Sequence, residues 1–220
     1  MGSNDRNHTI HRLATPFILA GGLLSTQCGA PDAVPLPGPQ GKEAVSRPTP
    51  LVGMDAAFKA TKVGEKVNTY APLSVNAKTG DTMVTVTNAG NLKLAKGDLI
   101  MVIQMQGAEV DFATITDGTK YGAVSNYRNA GLYEIAGVAA VDNNTGVITL
   151  DGCGGLKNNY TAAGHAQVVR VPQDTTLDVP TGTSITGDAW DGSKGGVVAM
   201  YVQGKTSLAE AVEFLLSGYS

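Results

Sequence analysis

"AGLYEIAGVAAVDNNTGVITLDG", residues 130–152, decides the fold class. "YEIAGVAAV" and "GVITL" are two runs rich in β-branched and aliphatic residues. Between them "DNNTG", 142–146, offers Asn for left-handed backbone angles and a closing Gly146. That composition predicts a β-hairpin. It carries no acid, base or nucleophile in a working position, so its reading is scaffold.

Further runs of the same kind lie on either side. "DTMVTVTNAG" places Met83, with Val84 and Val86, in a strand. "GDLIMVIQMQG", 97–107, opens on a turn signal and is almost continuously apolar, which predicts a strand buried on both faces. "HAQVVRVP" is a strand ended by Pro172, and "TTLDV", "TSIT" and "GGVVAMYVQG" follow. Residues 108–131 and 151–164 are polar connections. Strands at this spacing, separated by many of the 28 glycines, predict an all-β domain. The expected form is a small barrel or sandwich of about seven to nine short strands over 73–204.

The last residues change period. In "SLAEAVEFLLSGYS", Ser207 and Glu210 form a capping-box pattern, and Leu208, Ala211, Val212 and Leu215 recur at helical spacing. A C-terminal helix over 205–220 is therefore expected, with an aberrant or truncated end as the other reading.

The first residues read as an export signal. A weakly basic start precedes "LATPFILAGGLL", 13–24, which is too short to span a bilayer and has the length of a signal-peptide core. Cys28 follows at once, as the lipidated cysteine does in bacterial lipoproteins. The box is imperfect, because Ser25 and Gln27 stand where Leu and a small residue are usual. Residues 1–28 are thus expected to be a signal peptide, of lipoprotein type or, with Cys28 unmodified, of the ordinary type. A lipid on Cys28 would be the membrane link, on a surface and without a span. Pro-rich residues 29–72 read as a tether and linker.

Charge narrows the partners. A net charge of -3 with no basic run argues against nucleic acid. With two cysteines, Cys28 and Cys153, a cysteine metal site is excluded, whereas a bridge between them or an inert Cys153 stays open. No cofactor motif occurs, since "GSKGG" is not a phosphate-binding loop.

Candidate sites divide into two groups. Tyr121, Tyr127, Tyr133 and Tyr160 lie in or beside the polar connections, and Trp190 lies in a Gly-rich loop. Such side chains suit contact with a glycan or a protein, and equally well pack a loop. Asp188 and Asp191 are the carboxylates of "GDAWDGSKGG"; as cation ligands they are few, and a plain turn is the competing reading. Glu109 with Asp111 suits a solvated strand end better than glycoside hydrolysis. His165 has no nucleophile elbow in the sequence to serve. The reading is of a protein without enzyme activity.

Four segments together carry a resemblance: "GDLIMVIQMQGA", "YGAVSNYRNAGLYE", "NNYTAAGHAQVVRVP" and "AWDGSKGGVVAMYV". In this order, over roughly 76–204, the chain resembles myxobacterial adventurous gliding motility proteins of the AgmC type. The resemblance implies an exported, cell-surface protein with a role in gliding motility or surface adhesion; with the leader and Cys28, the expected place is the outer membrane, as a lipoprotein, or the extracellular space. A cell-surface glycan or an envelope protein is then the expected partner. The chain departs from the family after 204, where further Gly-rich β segments are usual. A shortened relative of a larger surface protein is the reading that departure leaves open. A carbohydrate-binding or carbohydrate-active module is the other alternative.

Overall fold

The computed structural model describes residues 55–112, 122–152 and 154–209, together with the backbone of Ile18–Leu19. The fold is all-β. In chain order the strands are β1 (Ile18–Leu19), β2 (Ala57–Lys59), β3 (Glu65–Lys66), β4 (Tyr70–Pro72), β5 (Met83–Thr85), β6 (Leu99–Gln104), β7 (Glu109–Val110) and β8 (Val124–Asn126). They continue with β9 (Tyr133–Asp142), β10 (Val147–Asp151), β11 (Ala166–Val171), β12 (Gln173–Asp174), β13 (Thr176–Val179), β14 (Ile185–Thr186), β15 (Met200–Val202) and β16 (Thr206–Leu208).

Six of these strands form one antiparallel, curled sheet in the order β4-β11-β6-β9-β10-β5. The opening hairpin supplies two neighbours, β9 and β10, and its turn closes as its residues dictate. Asp142 accepts from the Asn144 and Thr145 main-chain amides and from the Thr145 hydroxyl. Those bonds, the Thr145 hydroxyl first, hold its carboxyl below the ordinary range. Gly146 sits at φ 78, where a Cβ would stand 2.1 Å from the Val86 carbonyl oxygen. A bulge between Thr149 and Leu150 shifts the register, so both Val138 and Val141 turn toward the same core.

The continuous hydrophobicity of β6 has a direct cause. Ile100 and Val102 enter the core inside the curled sheet, with Ala166 and Val168 of β11 and Tyr160. Leu99 and Met101 face the other way and pack with Val169, Val171, Tyr70 and Ala199. Both faces of the central strands are therefore covered.

The second face is covered by short parallel strands. β12 pairs with β15, β13 lies between β2 and β16, and β14 pairs with β3, all in parallel. The backbone of β1 also runs parallel to β15. Residues 173–208 thus wind one circuit onto the next, with Gln173 facing Tyr201 and Leu177 facing Thr206. Ala60, Leu177, Val179, Ile185 and Val202 fill the inside of this coil stack. Asn68, buried, fastens the stack to the sheet. Its amide donates to the Arg170 and Ala199 carbonyls at 2.8 and 2.6 Å and accepts from the Ala199 amide at 3.0 Å.

Three expectations change. Residues 57–72 are not tether, because β2, β3 and β4 belong to the fold. Thr206–Leu208 form a strand where the start of a helix was expected; ladder bonds to β13 outweigh the local capping pattern. Residues 210–220 lie outside the described residues, as do Cys28, Cys153 and Tyr121. The long "GGVVAMYVQG" run narrows to β15, and "TSIT" to β14.

Candidate functional site

At one end of the sheet, β6 stops, β9 starts and β11 starts, so three connections meet a fourth, 187–196. Two buried glutamines organise this end. Gln104 donates to the Gln106 and Arg128 carbonyls at 2.9 and 3.0 Å and accepts from the Thr161 amide at 2.9 Å. It joins the segments after β6, before β9 and before β11. Gln167 grips Gly195 twice, accepting from its amide and donating to its carbonyl, each at 2.8 Å. Gly164 lies so close that a Cβ there would stand 2.3 Å from Gln104 Nε2. These amides give the loop main chain its partners, and the two bonds to Gly195 are buried.

The rim that results is aromatic and aliphatic. β7 and β8 form a two-stranded ribbon whose four paired strand residues are exposed or nearly so. Val110, Phe112 and Val124 on it are exposed, and so are Tyr127, Leu132 and Tyr133 in and after the following turn. Tyr127 is 68% exposed and Phe112 61%. Glu109 and Arg128 pair across the ribbon base at 2.5 Å, which aligns β7 with that turn. Trp190 is half-buried and meets His165 edge-on, ring centroids 6.0 Å apart at 84°. His165 holds a left-handed backbone, φ 51, at the entry to β11.

Each expected site residue now has a place. Tyr127 and Tyr133 stand on the rim, and Trp190 lies in the neighbouring loop. Tyr160 does not join them. It is fully buried, its main chain bridges Ala77, and burial beside Glu134 pushes its hydroxyl pKa up. Its flanking polar residues suggested a loop surface; "NNY" is in fact where the connection dives into the core.

Asp188 and Asp191 are engaged by lysines. Asp188 pairs with Lys66. Asp191 caps its own turn through the Ser193 and Lys194 amides at 2.8 and 2.9 Å and takes the Lys194 ammonium at 2.5 Å. The Lys194 partner holds its carboxyl down at about 2. Among the described residues no group of three or more His, Cys, Asp or Glu is arranged to hold a metal. The plain turn is the reading this geometry favours. Tyr70 anchors the loop from below, donating to the Val197 carbonyl and accepting from the Asp188 amide. Burial pushes its hydroxyl up to about 12. Glu109 works as an ion-pair partner, and among the described residues no hydrogen bond joins His165 to a serine or a carboxylate.

Gln104 and Gln167 were not singled out in the sequence. Their signal was a lone amide in an otherwise apolar strand, "VIQM" and "HAQVV".

No family model matches the chain, and no curated protein does. Solved structures give weak likenesses. The tailspike gp61 of Pseudomonas phage phi297 aligns at 15% identity and TM-score 0.34, over 60% of this chain and 24% of that one. The Gp54 tailspike of Acinetobacter baumannii bacteriophage AP22, solved in complex with A. baumannii capsular saccharide, aligns at 15% identity and TM-score 0.33, over 69% and 27%. The tailspike gp49 of Pseudomonas phage LKA1 aligns at 16% identity and TM-score 0.31, over 60% and 21%. The chain therefore spans about a quarter of the length of these tailspikes. Similarity at this level carries no argument about chemistry.

Proposed function

We propose that this chain is an exported contact protein of the cell envelope, non-enzymatic, acting in surface adhesion or gliding motility, with the rim as its docking surface. The observation that carries the reading is the concentration of exposed aromatic and aliphatic side chains on the β7–β8 ribbon and the turn behind it. Buried Gln104, on the sheet, holds the turn behind that patch through the Arg128 carbonyl, which favours a preformed surface for a partner. Patches of this kind, rimmed by polar groups, mark interaction sites. The leader, Cys28 and the Pro-rich segment support the cell surface as its place.

Fractionation of cells that make the protein, with incorporation of a radiolabelled fatty acid, tests the location. The expected result is envelope or medium, with label lost in Cys28→Ser. Retention in the cytoplasm would end the proposal.

A glycan partner is the second reading. Trp190, half-buried against His165, gives it an aromatic face beside the rim. Binding of envelope polysaccharide that is weakened in Trp190→Ala, and unaffected in Tyr127→Ala, would favour it over a protein partner.

A further inference from the structure

A cluster of charge lies where the sheet meets the first coil, away from the rim. Asp98 precedes β6, Arg170 is on β11, Asp174 is on β12, and Asp55 leads into β2. Arg170 donates to Asp55 at 2.6 Å and to Asp98 at 3.3 Å. Asp55 also accepts from the Gln173 amide at 2.8 Å, and Asp98 from the Ala95 amide at 2.9 Å. Two of the three carboxylates are thus well supplied with donors. Asp174 is the exception. It is 2% exposed, and its Oδ2 is buried with no hydrogen-bond partner among the described residues.

The main chain around Asp174 is what holds the parts together. The Gln203 amide donates to the Asp174 carbonyl at 2.9 Å, which docks β15 onto β12. The Asp55 amide donates to the Gln173 carbonyl at 3.0 Å, and Thr175 donates to the Ala56 carbonyl at 2.6 Å, which docks the lead-in of β2. A carboxylate with one oxygen buried here without a donor, beside Asp55, opposes the docking that its own backbone makes. The one guanidinium bonds Asp55 and Asp98 and leaves Asp174 Oδ2 without a bond.

We propose that Asp174 is a proton-operated latch on this junction: neutral, it lets the lead-in segment and the coil stack close on the sheet; ionised, it loosens them. The charged groups acting on it are Asp55, which repels the charge, and Arg170, which attracts it. Asp98 competes for the same Arg170. Burial and Asp55 prevail over Arg170 and raise the Asp174 carboxyl to about 6. The folded state therefore holds the proton more tightly than the unfolded chain, whose aspartate titrates near 3.8. Stability from this group is fully present below about pH 4 and is lost as pH rises through about 6.

The test compares the full chain with Asp174→Asn by urea unfolding between pH 4 and pH 7. One pKa unit is a tenfold change, so the wild-type unfolding constant should rise about 100-fold relative to the variant across that range. Carbon-13 NMR of the Asp174 carboxyl should titrate near 6. Amides of Asp55, Thr175 and Gln203, corrected for intrinsic rates, should exchange faster at pH 7 than at pH 5 in wild type only. If Asp174→Asn does not fold, Asp55→Asn serves, and the Asp174 midpoint should fall toward the ordinary value. Parallel pH curves, a wild-type midpoint near 4, or a midpoint unmoved by Asp55→Asn would each overturn the latch.

Discussion

Asn68→Ala removes the side chain that ties the coil stack to the sheet. Asn68 is 5% exposed and makes three bonds to main chain. In the variant the Ala199 N–H loses the Asn68 Oδ1 it donates to, and the Arg170 and Ala199 carbonyls each lose a donor. A buried polar group left unsatisfied costs about 1–3 kcal/mol. Taking about 2 for the N–H and about 1 for each carbonyl, which keeps a second lone pair for other donors, gives about 4 kcal/mol. That is a large fraction of the total stability of about 5–15 kcal/mol expected of a domain. Urea unfolding followed by tyrosine fluorescence and far-ultraviolet circular dichroism measures it. The expected result is a lower midpoint with one transition in both probes. Asn68→Asp, which keeps the acceptor and loses both donors, should also destabilise, most strongly at neutral pH where it is ionised. A loss below about 1 kcal/mol in Asn68→Ala would refute the reasoning, because the stack would then be held by its apolar contacts alone.

Other perturbations have equally definite expectations. Tyr160→Ala, in a fully buried position, should cost about 3–5 kcal/mol by thermal unfolding, as other large aromatic truncations do. Tyr127→Ala, largely exposed, should stay within about 0.5 kcal/mol of wild type. Gly146→Ala should cost about 2 kcal/mol or more, from a left-handed φ and a Cβ against the Val86 carbonyl; chemical unfolding reads it directly. Arg170→Met strips the cation from Asp55 and Asp98 and should cost about 3–5 kcal/mol at pH 7, with part regained by acidification as the carboxylates take up protons.

The antiparallel half of the fold was legible in the sequence because each of its signals is local. Alternation, a turn with Asn and Gly, and a strand buried on both faces are properties of neighbours in the chain, and β6, β9, β10 and β11 follow from them. Strands were read in "TTLDV", "TSIT" and "GGVVAMYVQG", where β13, β14 and β15 lie, but their parallel stacking into a coil was not legible. Its strands are two to four residues long, too short for periodicity, and their partners lie a whole circuit away. Ser207 shows the competition most clearly: its capping pattern is local, while its pairing with Asp178 is not, and the pairing prevails. The rim was half legible. Tyr127 and Tyr133 sit in polar sequence and are exposed, but Tyr160 has the same kind of neighbours and is core, since a tyrosine's direction is set by packing. Gln104 and Gln167 look like defects in apolar strands until the loops they hold are seen.

The most direct measurement on the proposed function is co-sedimentation of the purified protein with isolated envelopes of the cells that make it. Wild type is compared with a Tyr127→Ala/Tyr133→Ala double variant whose unfolding midpoint is unchanged. Saturable binding by wild type, weakened at least about tenfold in the variant, is the predicted result, a loss in the range of interface hot spots. Equal binding by both proteins, or none by wild type, would contradict the rim as the docking surface.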